Sequence, residues 1–433
     1  MKNKRREFLK LTSLTSMAAG LDILNGFAWT DHYTKSNHST FQKENSMATK
    51  NAENHISLIG AYGAWAASLV GNKLPALSFR RTEWTDVEQW KTAAKKRLEE
   101  RMSIPDIGGM PAVHIKKQFE YDGLHIEELT WQLPYGQPTE GILLKPANAK
   151  KPLPGILAFH DHGGNKYFGT RKITLTSDTM HPLMEEHQKN YYEGMAWANE
   201  IAKRGYVVLV PDAFTFGSRR VMLEDVPDDL RGKLNDRDPE NPGNIHAYNE
   251  WASNHEAVMA KSLFCAGTTW PGVFFAEDRK ALDILCSRKD VNPQKIGCGG
   301  LSGGGLRTVF MAGLDSRIKC AIPVGFMSTW RDFLLNKCYN HTWMLYVPLL
   351  PNEMDFPEIL ALHAPSAALV LNDEDDDLYT KEGMRQANDI LKEIYQKANA
   401  ADRYKCSFYP GPHKFDKKMQ EEAFAWFDKW LGF

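Results

Sequence analysis

The sequence predicts an α/β protein with a mostly parallel, doubly wound sheet and helices on both faces. From about residue 126 onward, short apolar segments alternate with longer segments of helical periodicity. Fully apolar segments of this length are typical of parallel strands whose two faces are both covered. Right-handed crossovers between such strands place the connecting helices in two outer layers.

The alternation defines the individual elements. The predicted strands are 126–133, 141–145, 155–159, 206–211, 295–299, 320–324, 367–371 and 405–409. The predicted helices are 82–102, 191–204, 274–288, 304–313, 381–399 and 415–431. Ligands of such sheets bind beyond the carboxyl ends of the strands, so we expect the site there.

Two insertions interrupt the alternation. Residues 212–272 are polar and rich in Asp and Pro, and residues 325–365 are rich in Trp, Met and Pro. Loops this long in a compact domain are usually functional. We therefore expect both insertions to form the walls and lid of the site.

Composition excludes several classes of function. The 433 residues are 42% hydrophobic and 25% charged, with a formal net charge of −1. This balance provides no basic surface, which argues against nucleic acid and anionic membranes as partners. The six cysteines form no C-x-x-C pair, so zinc-ribbon and thioredoxin motifs are absent. We expect most cysteines to be small buried hydrophobic residues, and the pattern leaves open whether a pair is oxidised.

The first 30 residues are typical of an export signal. Basic residues, including Arg5 and Arg6, precede a mildly apolar stretch from Leu11 to Ala28. The run R-R-x-F-L-K resembles a twin-arginine motif. Because Asp22 and several Ser and Thr interrupt the stretch, it is a weak membrane span, and we expect none in the mature chain. A disordered basic N-terminus is the alternative.

The rest of the N-terminal region predicts the domain organisation. Residues 31–55 are polar and aperiodic, which is typical of a linker. One domain is expected over 56–433, beginning with a helical extension to about residue 120. Together with the signal, this organisation predicts a periplasmic or secreted bacterial protein.

A glycine-rich turn provides the candidate nucleophile. Residues 297–305 read GCGGLSGGG and contain Gly300-x-Ser302-x-Gly304 between a predicted strand and a predicted helix. A serine hydroxyl needs exposure and a neighbouring base to attack a carbonyl. The glycines leave room for the sharp turn that lifts the hydroxyl clear of the backbone. An ordinary glycine-rich loop is the alternative.

An acidic run supplies the candidate acid. Residues 373–377 read DEDDD and follow the predicted strand 367–371. In a serine triad of this chain order, the acid follows a late strand, after the serine and before the histidine. We choose Asp376 because it begins the D-x-L-Y sequence of residues 376–379, and Asp373 and Asp375 remain alternatives. A calcium site is a further alternative, although the EF-hand spacing is absent.

His413 is the candidate base. It lies in the PGPHKF segment between the last predicted strand and the last predicted helix. The chain order is then Ser302, Asp376, His413, which is the order of the α/β-hydrolase triad.

The strand ending at Phe159 supplies a candidate oxyanion hole. A tetrahedral intermediate needs two backbone N–H groups directed at its oxygen. One comes from Gly303, the residue after the nucleophile, and we expect the other from His162, with Gly163 as the alternative. The H-x-H sequence of residues 160–162 can also bind zinc, but H-E-x-x-H is absent, and no metal is expected.

These four motifs resemble one family. HDHGG at 160–164, GLSGG at 300–304, D-x-L-Y at 376–379 and Pro412-His413 are similar to the dienelactone-hydrolase and acetyl-xylan-esterase branch of the α/β-hydrolases. The resemblance covers about residue 129 to the C-terminus and implies an α/β-hydrolase fold and a serine esterase without cofactor. Asp161-His162 departs from the simple His-Gly-Tyr of acetyl-xylan esterases, so acetyl specificity does not follow. Ser302 replaces the cysteine of dienelactone hydrolases, which argues against that reaction.

The resulting hypothesis is a serine-dependent carboxylic-ester hydrolase. We expect a carbohydrate esterase that removes acetyl or methyl ester groups from a plant polysaccharide. Arg307 is a candidate ligand for a uronate, with a structural ion pair as its alternative, and Trp270 is a candidate sugar contact. A serine peptidase and a non-catalytic binding protein on the same scaffold are the competing hypotheses. The sequence gives no oligomeric state.

Overall fold

The computed structural model describes residues 57–70 and 73–432. The predicted signal (1–30) and linker (31–55) lie outside the described residues. The described strands are β1 (Val113–Tyr121), β2 (Leu124–Trp131), β3 (Thr139–Pro146), β4 (Leu153–Phe159), β5 (Val207–Pro211), β6 (Val291–Leu301), β7 (Ile318–Val324), β8 (Ala367–Asp373) and β9 (Tyr404–Tyr409).

These strands form one nine-stranded sheet in the order β1-β2-β3-β5-β4-β6-β7-β8-β9. The first three strands pair antiparallel, and β3 also pairs antiparallel with β5. The other six strands are mutually parallel from β5 to β9. The carboxyl ends of these six strands therefore share one edge of the sheet, as the predicted fold class requires.

Helices cover both faces of the sheet. They are α1 (Gly63–Val70), α2 (Val87–Met102), α3 (Pro182–Tyr192), α4 (Trp197–Lys203), α5 (Pro242–Cys265), α6 (Trp270–Ser287), α7 (Gly303–Leu314), α8 (Phe356–Ala361), α9 (Lys381–Lys397) and α10 (Lys417–Leu431), with one-turn helices at Asp228–Arg231 and Trp330–Asp332. Side chains of α2, α6, α7, α8 and α9 pack in one core, and those of α4 and α10 pack in a second core.

The central strand β4 shows why the layers form. All seven of its residues are buried. Leu157 and Phe159 belong to one core, whereas Ile156 and Ala158 belong to the other, as the two-residue period of a strand requires. Burial of apolar side chains on both faces is the main stabilising contribution.

The structure differs from the sequence prediction at three places. Strand β1 was not predicted, because most of its residues are exposed and apolar alternation is weak. The predicted helix 191–204 starts too early. Residues 191–192 are the last two of α3, Glu193 and Gly194 then adopt positive φ, and only α4 lies within the rest of the predicted range. The insertion 212–272, expected to be loop-rich, contains the 24-residue helix α5.

The cysteines are less buried than the sequence predicts. All six cysteines are free, and only Cys298 and Cys320 are buried, so the expectation that most would be buried is wrong. Among the residues that the structure describes, there is no helix with the length and apolarity needed to span a bilayer.

Helix α5 begins with a cap that can be tested. The side chain of Asn241 accepts hydrogen bonds from Gly243 N–H (2.9 Å) and Asn244 N–H (3.2 Å). We expect Asn241→Ala to lower the free energy of unfolding by about 1 kcal/mol, because two N–H groups lose their acceptor. Urea denaturation measures the loss, and hydrogen exchange locates it in the first turn of α5.

Ser262→Ala, at an exposed position of the same helix, is the control and should change stability by less than about 0.5 kcal/mol. Equal effects of the two variants would contradict the capping role.

Candidate active site

The turn at Ser302 is a strained strand-to-helix turn. Strand β6 ends at Leu301, α7 begins at Gly303, and Ser302 between them has φ 56° and ψ −117°. A side chain at Gly300 or Gly304 would overlap the carbonyl oxygen of Phe159 on the adjacent strand. The two glycines therefore allow the turn to pack directly against the end of β4.

The candidate base and acid are hydrogen-bonded to each other. His413 Nδ1 lies 2.6 Å from Asp376 Oδ2. The other carboxylate oxygen of Asp376 accepts from Leu378 N–H at 2.9 Å, and Asp376 is buried. His413 Nε2 is buried and has no hydrogen-bond partner among the described residues. Its Nδ1 is therefore fixed by the acid, whereas Nε2 is available to a substrate or nucleophile.

The other two candidate acids have different positions. Asp373 is buried, and its Oδ2 accepts from Lys414 N–H at 3.0 Å. Asp375 is exposed and accepts from Gly411 N–H at 3.1 Å. Both carboxylates thus hold the loop that carries His413, and Asp376 alone of the three bonds its imidazole.

The candidate oxyanion amides lie close together, after the ends of two neighbouring strands. Strands β4 and β6 pair in register with Phe159 opposite Gly300. A Cβ on Gly303 would lie 3.0 Å from the backbone nitrogen of His162. Neither amide donates a hydrogen bond within the part of the chain that the structure describes. Both donors are therefore free to bind an oxyanion beside Ser302.

These groups open on one cavity of about 400 Å³. Its lining includes Ser302, Gly303, His162 and His413. Ser302 and His413 are not hydrogen-bonded to each other in this structure; such contacts often tighten only when substrate binds. The remaining lining residues are Asp161, Gly163, Gly164, Tyr191, Ser253, Glu256, Leu301, Phe326, Tyr339, Asn340, His341, Thr342 and Leu378.

Glu256 was missed by sequence reasoning and joins both insertions to the site. It lies on α5, and its Oε1 is 2.8 Å from His162 Nε2 and 2.8 Å from Lys166 Nζ. Its Oε2 accepts from Thr342 Oγ1 (2.8 Å) and Trp343 N–H (2.9 Å) in the second insertion. Both insertions therefore form walls of the cavity. No local sequence motif marks Glu256, and the Asn241-Pro242 pair at the start of its helix indicates only where a helix begins.

The structure corrects the prediction that Arg307 and Trp270 bind substrate. Arg307 is 1% exposed, and its guanidinium binds Asp278 through bonds of 2.9 and 2.6 Å. Trp270 is 1% exposed, and its Nε1 donates to Phe214 O. Neither side chain lines the cavity, because both are packed in the core. The structural ion pair, the alternative for Arg307, fits this position.

The electrostatics favour His413 as a base. Burial alone would lower the pKa of His413. The hydrogen bond and charge of Asp376, with contributions from Asp373 and Asp161, outweigh burial and hold this pKa above its ordinary value. By contrast, burial lowers the pKa of His162, and it lowers the pKa of His341 to about 4.

One group of side chains has the geometry of a metal site. Donor atoms of Asp373, Asp376 and His413 lie within 4.8 Å of one another. Two of these donors already bond each other in the acid–base pair. Burial raises the pKa of Asp373 to about 7, so this carboxyl is partly protonated at neutral pH and is a weak ligand.

Comparison with known proteins places this geometry in context. No protein-family model matches the chain. The proposed hydrolase YtaP of Bacillus subtilis (strain 168) is 28% identical over 309 residues, covering 71% of this chain and 88% of YtaP.

Solved structures are similar over most of the chain. A proposed acetyl xylan esterase of Bacteroides fragilis NCTC 9343 aligns with a TM-score of 0.60 and 18% identity, covering 82% of this chain and 84% of its own. Methylesterase BT1017 aligns with a TM-score of 0.55 and 19% identity, and the alignment covers 82% of this chain and 67% of the methylesterase chain. A glucuronoyl esterase from Solibacter usitatus aligns with a TM-score of 0.53 and 15% identity, and the alignment covers 82% of this chain and 97% of the esterase chain. The chain therefore has the α/β-hydrolase fold.

The acid–base pair predicts a pH profile. Only neutral imidazole can accept a proton, so activity should rise with pH through the elevated pKa of His413. Asp376→Asn removes the largest contribution that raises this pKa and leaves burial, which lowers it, opposed only by the smaller contributions of Asp373 and Asp161. We expect the acid limb of kcat/KM to move to lower pH and kcat to fall by about 10⁴-fold, as the imidazole loses its orienting acceptor.

Asp377→Asn, an exposed neighbour in the same acidic run, should leave the profile unchanged. An unmoved limb with retained turnover in Asp376→Asn would remove this carboxylate from the site.

Proposed function

We propose that this protein is a serine-dependent carboxylic-ester hydrolase. The observation that carries the proposal is the 2.6 Å Asp376–His413 bond, which leaves the imidazole Nε2 without a partner among the described residues, at the cavity that contains Ser302. Two amides beside the strained serine, also without an acceptor in the described part of the chain, add the donors that an acyl-transfer intermediate requires. The similarity to solved esterases supports the same reaction class.

The mechanism follows from these positions. His413 Nε2 takes the proton of Ser302 Oγ as the oxygen attacks the ester carbonyl carbon. Asp376 holds the imidazole tautomer and offsets the charge of the imidazolium. The amides of Gly303 and His162 bind the oxyanion, and His413 returns its proton to the departing alcohol. Water then repeats the cycle on the acyl-enzyme, which releases the carboxylic acid and restores the hydroxyl.

We propose a carbohydrate esterase as the substrate class. The cavity is lined by groups that can exchange hydrogen bonds with sugar hydroxyls, among them Glu256, Ser253, Asn340 and Thr342. An acetyl xylan esterase, a methylesterase and a glucuronoyl esterase are among the structural neighbours. Export, proposed from residues 1–30, would bring the protein to a polysaccharide outside the cytoplasm.

The charges at the cavity favour acetyl esters of uncharged sugars over methyl esters of polyuronates. Among the described residues that line it, carboxylates are present and no Lys or Arg is. A polyuronate carries free carboxylates along its chain, and the lining offers no cation to bind them, because Lys166 and Lys172 are paired with Glu256 and Asp161. Arg307, the cation predicted to receive a uronate, is paired with Asp278 in the core.

Ser302→Ala tests the nucleophile. We expect p-nitrophenyl acetate turnover to fall by on the order of 10⁶-fold, because no other hydroxyl sits at the turn. The thermal melt should be unchanged. Ser316→Ala, at an exposed position of the α7–β7 turn, should keep full activity.

A fluorophosphonate probe separates the competing hypotheses. It should label the unmodified protein at Ser302 and leave Ser302→Ala unlabelled. An unlabelled but folded protein would instead support the non-catalytic binding protein.

The substrate class is tested by the product. We expect acetate release from acetylated xylan to exceed methanol release from methyl-esterified pectin by at least about tenfold, which corresponds to 1.4 kcal/mol of discrimination. Both products are measured on the same enzyme preparation at the same pH. More methanol than acetate would overturn the acetyl assignment while leaving the esterase assignment intact, and cleavage of p-nitroanilide peptides alone would favour the peptidase.

A further inference from the structure

A fully buried lysine lies beneath the proposed oxyanion loop. Lys172 is 0% exposed and lies in a single helical turn, Thr170–Lys172. Its Nζ donates to the backbone oxygens of Asp161 (2.8 Å) and His162 (2.9 Å). The mechanism above makes no use of this ammonium group, although burying a charge is costly because it loses its hydration.

These bonds fix the direction of the catalytic amide. The carbonyl of Asp161 and the N–H of His162 belong to one peptide group, which is trans. In a trans peptide the N–H points opposite to the C=O. Because the carbonyl is directed at Lys172, the His162 N–H points away from the lysine. The backbone nitrogen of His162 lies beside Gly303, and its N–H has no acceptor among the described residues.

A second donor acts on the same carbonyl. Ala213 N–H donates to His160 Nε2 at 3.2 Å, so the proton of neutral His160 is on Nδ1. Burial holds the pKa of His160 well below its ordinary value, which keeps the ring neutral. His160 Nδ1 lies 3.0 Å from Asp161 O and donates to it. Two donors on one carbonyl polarise the peptide and make its N–H a stronger donor.

We propose that Lys172 is a positioning residue that orients and polarises the His162 amide of the oxyanion hole. This inference rests on the proposed function. The ammonium group touches no substrate and acts through the peptide group between residues 161 and 162. Its contribution is realised when negative charge develops on the carbonyl oxygen, so it lowers the barrier more than it strengthens substrate binding.

The groups around Lys172 Nζ determine its pKa. Asp161 Oδ2 lies 3.7 Å from Nζ, and the aromatic face of Phe216 lies 4.9 Å away. Burial lowers the pKa of Lys172 to about 8, with Lys166 lowering it further and Asp161 and Asp212 opposing the shift. A neutral amine is a weaker donor than an ammonium group, so the proton should matter to the rate.

Lys172→Met tests the proposal, because methionine has similar length and no donor. We expect kcat for p-nitrophenyl acetate to fall about 10- to 100-fold with KM within about twofold, less than the loss of a whole oxyanion donor. Rates are expressed per active site, counted by complete fluorophosphonate labelling. Phenylboronic acid, whose serine adduct places an anionic oxygen in the hole, should bind more weakly by the same factor.

Lys280→Met is the matched control. Lys280 is also a buried lysine that donates to a backbone carbonyl, that of Gly108, outside the cavity. It should keep kcat per labelled site. Unchanged kcat per labelled site in Lys172→Met, or a change confined to KM, would overturn the positioning role. Absent labelling of the unmodified protein would instead overturn the proposed function itself.

The pH profile supplies a readout that a purely structural lysine would not move. In the unmodified protein, kcat should drop to a lower plateau as pH rises through about 8, and this limb should be missing in Lys172→Met and present in Lys280→Met. Lys172→Gln keeps an N–H donor and should recover part of the lost kcat. If neither Lys172 variant folds, a flat kcat from about pH 7 to 10 in the unmodified protein overturns the proposal.

Discussion

The site depends on the close packing of the serine turn against the end of strand β4. Gly300 and Gly304 bring the backbone of the turn against the carbonyl of Phe159, where any side chain would overlap it. This packing places the amides of Gly303 and His162 side by side, although 140 residues separate them in the chain. A non-glycine residue with the φ of Ser302 costs about 1–3 kcal/mol. Its N–H bond to Val324 O (2.8 Å) and the packed turn hold it there.

The candidate acid and base are positioned at the same edge of the sheet by a different pair of strands, β8 and β9. Strands β8 and β9 pair in register with Asp373 opposite Tyr409, so the loops after both strands lie together. Asp373 and Asp375 then fasten the second loop to the first through Lys414 N–H and Gly411 N–H. The acidic run therefore holds the two loops together, and within it Asp376 is the residue that bonds the imidazole of His413.

The parts of the site that local sequence patterns encode could be predicted. The G-x-S-x-G turn, the acid after a late strand and the histidine before the last helix are each readable within a few residues, because a strand end fixes where such residues lie. Helix α5 was missed because its apolar stripe is weak: after Ile245 and Tyr248, its buried positions are Ala252, Glu256 and Ala260. Glu256 could not be predicted because its partners His162 and Thr342 lie 94 and 86 residues away in the chain. Lys172 could not be predicted because its partners are backbone oxygens, which no sequence pattern marks.

The buried lysines also limit how far nearby carboxylates raise the pKa of His413, the proposed base. Asp161 and Glu256 both lie in the cavity wall, and unpaired carboxylates so near would raise the pKa of His413 further and keep it protonated. Lys172 lies 3.7 Å from Asp161, and Lys166 lies 2.8 Å from Glu256. The charge of Lys166 and the bond from His162 outweigh burial and hold the pKa of Glu256 well below its usual range, so this carboxylate stays ionised and paired. Asp376 differs from these carboxylates in having no lysine partner among the described residues, and its charge acts on the imidazole of His413.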